Sequence, residues 1–157
     1  MVHRHPAPAR TGGRLMRRAA LAAFVLALLG NGPAAPDNRQ IVEHFARLFY
    51  TERDVKQAFE TYVASDYIQH NPGLPDGREA AIAALQPMFA DRNRSFEVRK
   101  ILVDGDLAAI HIFAKPDPAA RGAAVADFYR LKDGKIVEHW DIIQPIPEKS
   151  ANAHPMF

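Results

Sequence analysis

The feature that most constrains this chain is a change of hydrophobic period near Asn93. Beyond it, apolar residues alternate with polar ones, the period of a strand with one buried face. Phe96 to Val103 alternates and ends at Asp104-Gly105-Asp106, a turn signal. Leu107 to Phe113 reads as a second strand and Pro116 to Gly122 as a loop. Ala123 to Leu131 is a third strand, Lys132-Asp133-Gly134-Lys135 a tight turn, and Ile136 to Ile143 a fourth, ended by Pro145 and Pro147. Short runs joined this tightly predict an antiparallel meander.

Before Asn93 the period is helical. Ile41, Phe45, Leu48 and Phe49 mark a first helix, with Asp37 or Asn38 as its cap. Val55, Phe59, Tyr62 and Val63 mark a second, capped by Asp54. An extended piece from Ser65 runs into a loop held open by Pro72, Gly73, Pro75 and Gly77. A third helix spans about Arg78 to Phe89, and Pro87 should limit or kink its end. Helices segregated from an antiparallel sheet define an α+β class. Three short helices cover such a sheet only if it curls. The expected form is a cone-shaped, curved antiparallel sheet wrapped around about three N-terminal helices, with one open end suited to a small molecule.

The 157 residues fit one domain, 36–148, with a flexible tail at 149–157. Residues 1–35 look different. A basic stretch ends at Arg17-Arg18, an 11-residue apolar run follows from Ala19 to Leu29, and small and helix-breaking residues come next. That is the order of a secretory signal, with Met16 as an alternative start and cleavage after Ala34 or Ala35. The run is short of the roughly 20 residues that cross a bilayer, so no stable membrane span is expected after cleavage. An exported protein, periplasmic or secreted, is the expectation; a retained anchor or a mistranslated extension is the alternative. These 35 residues carry five arginines and no acid, which leaves 15 basic against 18 acidic residues, net −3, in the rest. A mildly acidic domain has no global attraction to nucleic acid. There is no cysteine, which excludes disulfides, thiolate metal sites and cysteine nucleophiles.

Two strands carry the candidate chemistry. Alternation puts Asp127, Tyr129 and Leu131 on one face of the third strand. An acid on an inward apolar face is a candidate proton carrier; an outward one is an exposed or salt-bridged aspartate. On the fourth strand His139 and Asp141 share one face, and Glu138 and Trp140 the other. A tight turn brings that strand beside Asp127, where a histidine and an aspartate can relay a proton or orient each other. Trp140 reads as core or pocket wall. His70 and Asn71 lie where a strand becomes a loop, a common place for binding residues. His111 interrupts an apolar strand, and such a histidine is either a satisfied face residue or a ligand contact. Beyond the leader, which holds His3-Arg4-His5, the chain has no His-x-His, and it has no His-Glu-x-x-His, Gly-x-Gly-x-x-Gly or P-loop, so neither a metal nor a nucleotide cofactor is expected. Ser65, Ser95 and Ser150 lack any nucleophile-elbow context.

Three segments, Tyr67-Ile68-Gln69-His70-Asn71-Pro72, Asp127-Phe128-Tyr129-Arg130-Leu131 and Asp133-Gly134-Lys135-Ile136-Val137-Glu138-His139-Trp140-Asp141, resemble the SnoaL-like branch of the NTF2-like superfamily. The resemblance runs from about Asn38 to Pro147. It implies a cone-shaped α+β barrel, dimeric through its outer sheet face, and places Asp127 in the cavity. Polyketide cyclases of this branch close rings by aldol chemistry without metal or cofactor, using a strand aspartate as acid and base. The resemblance implies Asp127 as the acid–base residue and sets His70 and Asn71 near the pocket; with His139 from the strand reading, Asp127, His70 and His139 are the expected catalytic residues. Tyr67, Asn71, His111, Tyr129, Trp140 and Asp141 would contact a small apolar, carbonyl-bearing molecule. The leader departs from the cytoplasmic habit of such cyclases. Three readings follow: a cofactor-free cyclase or isomerase, a non-catalytic ligand-binding module, and a dimeric assembly domain whose cone is filled by its own aromatic side chains.

Overall fold

A computed structural model of the protein describes Met1 and residues 37–157; the signal-like segment lies outside the described residues. Asp37 caps α1 (Asn38–Ala46) through a capping box, its carboxylate accepting from the Gln40 N–H at 2.8 Å. A π-helical turn continues the helix over Arg47–Glu52 and stops at Arg53, whose φ of 62° is left-handed. The wider π turn narrows the angle between successive side chains. Leu48, Phe49 and Tyr50 can therefore all be buried, although they are consecutive. Asp54 caps α2 (Val55–Tyr62). After β1 (Val63–Gln69), α3 spans Arg78–Ala90 and runs three residues past Pro87. Ala83 and Pro87 are both exposed, so the Ala83 carbonyl that Pro87 cannot serve meets solvent.

The remaining strands are β2 (Ser95–Asp104), β3 (Leu107–Lys115), β4 (Ala123–Lys132) and β5 (Lys135–Pro145). They form the antiparallel meander the alternation predicts. One strand is added: β1 pairs parallel with β5, giving an open, mixed five-stranded sheet in the order β1-β5-β4-β3-β2. The addition follows from the return of the chain through α3, which lets β1 lie along the free edge of β5 in the same direction. The architecture is otherwise the expected curved α+β cone.

Asp133 and Gly134, with φ of 50° and 75°, make the two-residue turn between β4 and β5. Just beyond it the pairing shifts. Leu131 faces Ile136, but Arg130 faces Glu138, so Val137 is an extra residue on β5. This bulge reverses the alternation of β5 after Ile136. Ile136 and His139 therefore both point inward although three positions separate them.

The core lies between the helices and the inner sheet face. Phe45 is fully buried against Phe49, Phe59 and the ring of Tyr129, with centroids 5.3, 5.7 and 5.4 Å away. Phe45→Ala should lower stability by about 3–5 kcal/mol in urea unfolding, the usual loss for an aromatic side chain removed from a packed core.

Candidate active site

A cavity of about 430 Å³ opens between the helices and the inner sheet face. That volume suits a small molecule and counts against a cone filled by its own side chains. The walls are chemically divided. α3, β2 and β3 contribute apolar side chains such as Leu85, Phe89, Phe96 and Ile112, while β1 and the loop after it, β4, β5 and the π turn contribute most of the polar ones, with Arg94 and Lys115 adding two cations on the apolar side.

Asp127 and His139 are the two buried polar residues of the described chain, each 7 % exposed. The register that follows the β5 bulge sets Asp127 opposite Asp141 and Tyr129 opposite His139. His139 Nε2 lies 3.5 Å from Asp127 Oδ1. The other carboxylate oxygen of Asp127 accepts the Tyr50 hydroxyl. Because that proton is committed to Asp127, the Tyr129 hydroxyl, 2.6 Å from Tyr50 oxygen, donates to it. A chain of donors thus runs from Tyr129 through Tyr50 to the carboxylate. Asn71 Nδ2 donates to Asp141 Oδ2 at 2.5 Å. Gln69 joins His139 to β1, its Oε1 lying 2.8 Å from His139 Nδ1.

The phenols are held neutral. Burial, followed by the nearby Asp127 charge, raises Tyr50, Tyr67 and Tyr129 well above the ordinary phenol value. Their role is to donate hydrogen bonds, not to ionise.

Of the nine residues singled out from the sequence, Asp127, His139, Tyr67, Asn71, Tyr129 and Asp141 line the cavity. His70, His111 and Trp140 do not, and the reason is alternation. Gln69 and His139 pair and face inward, so their successors His70 and Trp140 point outward. There the two rings stack at 4.6 Å with 5° between planes. His111 pairs with Ala126 on that same outer face, between the inward Ile110 and Ile112. A direct role in the cavity for these three is therefore corrected. Four polar residues of the wall were not singled out: Tyr50, Gln69, Arg94 and Lys115. Gln69 was within reach of the sequence, two residues from Tyr67 on one strand face. Tyr50 was not, because an α-helical wheel does not anticipate a π turn.

Asp127, His139 and Asp141 each offer a ligand atom, and these atoms lie within 4.8 Å of one another. They are the residues that could hold a cation. A tetrahedral first-row ion with bonds of about 2.0–2.1 Å would draw its ligands to roughly 3.4 Å from one another. The hydrogen bonds from Tyr50 and Asn71 equally suit carboxylates working without metal.

The SnoaL-like domain family profile matches residues 41–139, and no curated protein matches the chain. Among solved structures, an NTF2-like protein of unknown function from Cytophaga hutchinsonii is 16 % identical with a TM-score of 0.59, covering 73 % of this chain and 96 % of its own. A protein described as a SnoaL-like polyketide cyclase, from a Jannaschia species, is 19 % identical with a TM-score of 0.55, covering 69 % and 88 %. TsrD from Streptomyces laurentii is 22 % identical with a TM-score of 0.55, covering 69 % and 91 %. At these identities the likeness carries the fold.

Raised phenols have a consequence for stability. The unfolded chain releases phenolic protons above about pH 10, while the folded chain retains them on Tyr50, Tyr67 and Tyr129. The folded state then holds more protons, so stability falls as pH rises past 10, by up to about 1.4 kcal/mol per pH unit for each phenol. Tyr129→Phe should flatten this alkaline slope in pH-dependent urea unfolding; an unchanged slope would contradict the assignment.

Proposed function

The chain belongs to the SnoaL-like domain family, and from that premise we propose that its cavity binds a small, largely apolar carbonyl compound and that Asp127 is its acid–base catalyst. The observation that carries this reading is a carboxylate 7 % exposed at the foot of an apolar cavity, beside a histidine and held by a neutral phenol. A carboxylate so placed can take the hydrogen on the carbon next to a carbonyl. The C–H bond breaks, its electron pair passes to the enolate, and the proton stays on Asp127. The enolate carbon then attacks a second carbonyl to close a ring, or takes a proton back at another carbon to complete an isomerisation. His139 Nε2, beside Asp127 Oδ1, carries the proton between Asp127 and the product oxygen.

The relatives described as polyketide cyclases support this class of chemistry. Mass spectrometry of small molecules retained by the purified chain, and of their fate on incubation, tests it. Asp127→Asn should lower turnover by about 10²–10⁴-fold with the fold intact, the usual contribution of a positioned acid–base group. Wild-type turnover in that variant would sink the reading, and an unaltered ligand in both proteins would favour a non-catalytic binding module. Turnover should also survive exhaustive EDTA treatment; its loss, with recovery on adding Zn²⁺, would transfer the role to a metal held by Asp127, His139 and Asp141.

A homodimer belongs to the same proposal. Leu102, Ala109, Phe128 and Trp140 form one row across four strands on the outer face, and Leu102 and Phe128 are exposed to 66 % and 39 %. An apolar sheet face is self-complementary, as a two-fold contact requires. Phe128→Glu should convert a dimer to a monomer in sedimentation velocity; a monomeric wild type would dismiss the contact. Export to the periplasm or medium, supported by the order of residues 1–35, completes the proposal.

A further inference from the structure

We propose that Gln69 is a positioning residue that sets the hydrogen-bond polarity of the cavity wall, so that the site takes molecules offering an acceptor oxygen to Tyr67 and an acidic hydrogen to Asp127 and His139. The acidic-hydrogen half rests on the acid–base reading above; the polarity itself does not.

The argument begins with a backbone group. The N–H of Asn71 can only donate, and its acceptor is Gln69 Oε1 at 2.9 Å. This fixes the amide, with its oxygen toward Asn71 and its NH₂ toward Tyr67. The reverse orientation would set NH₂ against N–H, donor against donor. The same Oε1 lies 2.8 Å from His139 Nδ1. An amide oxygen cannot donate, so Nδ1 must carry a hydrogen. A neutral imidazole has one N–H, which leaves the lone pair on Nε2, the nitrogen 3.5 Å from Asp127 Oδ1. A fixed backbone donor thereby dictates the tautomer of the candidate catalytic histidine.

The other arm of the amide acts on Tyr67. Gln69 Nε2 donates to the Tyr67 oxygen at 3.1 Å. The phenol's own hydrogen has no acceptor among the described residues, although Tyr67 is 2 % exposed and lines the cavity. Burial keeps that hydrogen in place. The wall therefore presents a donor at Tyr67 and acceptors at His139 and Asp127. A ketone, aldehyde or ester with a hydrogen on the adjacent carbon matches both. A carboxylate placed against Asp127 and Asp141 would meet like charges there, although Arg94 and Lys115 also line the cavity.

The test uses the full chain labelled with ¹⁵N-histidine, and long-range ¹H–¹⁵N NMR above the titration range of the ring. Wild type should show His139 as the Nδ1–H tautomer. Gln69→Leu should move the hydrogen to Nε2, where it can reach Asp127. Gln69→Glu should keep Nδ1–H, since a carboxylate still accepts, while drawing the Tyr67 hydrogen away from the cavity. Calorimetry with 2-acetylnaphthalene and 2-ethylnaphthalene reads the second arm. Wild type should prefer the ketone, and Gln69→Glu should reduce that preference about fivefold, the usual worth of one hydrogen bond. An Nε2–H tautomer in wild type overturns the proposal. So does an unchanged tautomer in Gln69→Leu with native circular dichroism, or an acetyl-to-ethyl preference that is absent in wild type or unaltered in Gln69→Glu. None of these readouts needs turnover, so an inactive protein would dismiss the acid–base reading and leave the polarity standing.

Discussion

The site depends on one inserted residue, Val137. From the Leu131–Ile136 pair, uninterrupted pairing would set Tyr129 opposite Glu138 and Asp127 near Trp140. The bulge moves each partner by one, so that Tyr129 meets His139 and Asp127 meets Asp141. A side-chain period of two makes a one-residue shift equivalent to turning the strand over. Were Val137 paired with Arg130 instead of bulged, Glu138 and Trp140 would enter the cavity and His139 and Asp141 would face outward. The tight turn at Asp133-Gly134 starts the hairpin in register, and the bulge then sends His139 and Asp141 to the cavity side.

A carboxylate buried in an apolar sheet is unfavourable unless hydrogen bonds replace its water. The helical layer supplies the first of these. Tyr50 reaches Asp127 only because α1 widens into a π turn that buries three successive side chains. Tyr129 continues the donor chain from β4 itself, and its ring also packs edge-on against Phe45. Core packing and site geometry are therefore one structure. The side chains that exclude water from Asp127 also hold its donors, which is how preorganised polar sites avoid rearranging during a reaction.

The fold was largely legible because its signals are local and periodic. Asp37 and Asp54 cap the helices they were expected to cap, and the alternating runs from Phe96 to Ile143 became four strands in meander order. The parallel pairing of β1 was not legible, since it depends on where α3 returns the chain. Within the site, alternation grouped Asp127 with Tyr129 and His139 with Asp141, but not which group faced inward. The family resemblance placed Asp127 inside; for His139 and Asp141 the answer lay in the bulge at Val137, an irregularity that composition does not mark. His70 and Asn71, adjacent in the motif, separated because the strand ends there: Asn71 turns into the cavity from the loop, while His70 keeps the outward phase of β1 and stacks on Trp140.

The two faces of the sheet are consequently linked. The shift that takes His139 inward takes Trp140 outward, into the row with Phe128 and Leu102. An exposed apolar row on one side and a polar cavity wall on the other are alternate phases of the same strands, set together by one bulge. A substitution that relaxed the bulge would bury Trp140 and Glu138 while exposing His139 and Asp141, removing the polar wall and the apolar row in one event. Gln69 sits where this coupling is tightest. It pairs with His139 on the parallel edge, and the next residue of each strand joins the outer stack. Its amide is thus fixed by backbone positions that the bulge also fixes, so the tautomer of His139 follows from the register of the sheet.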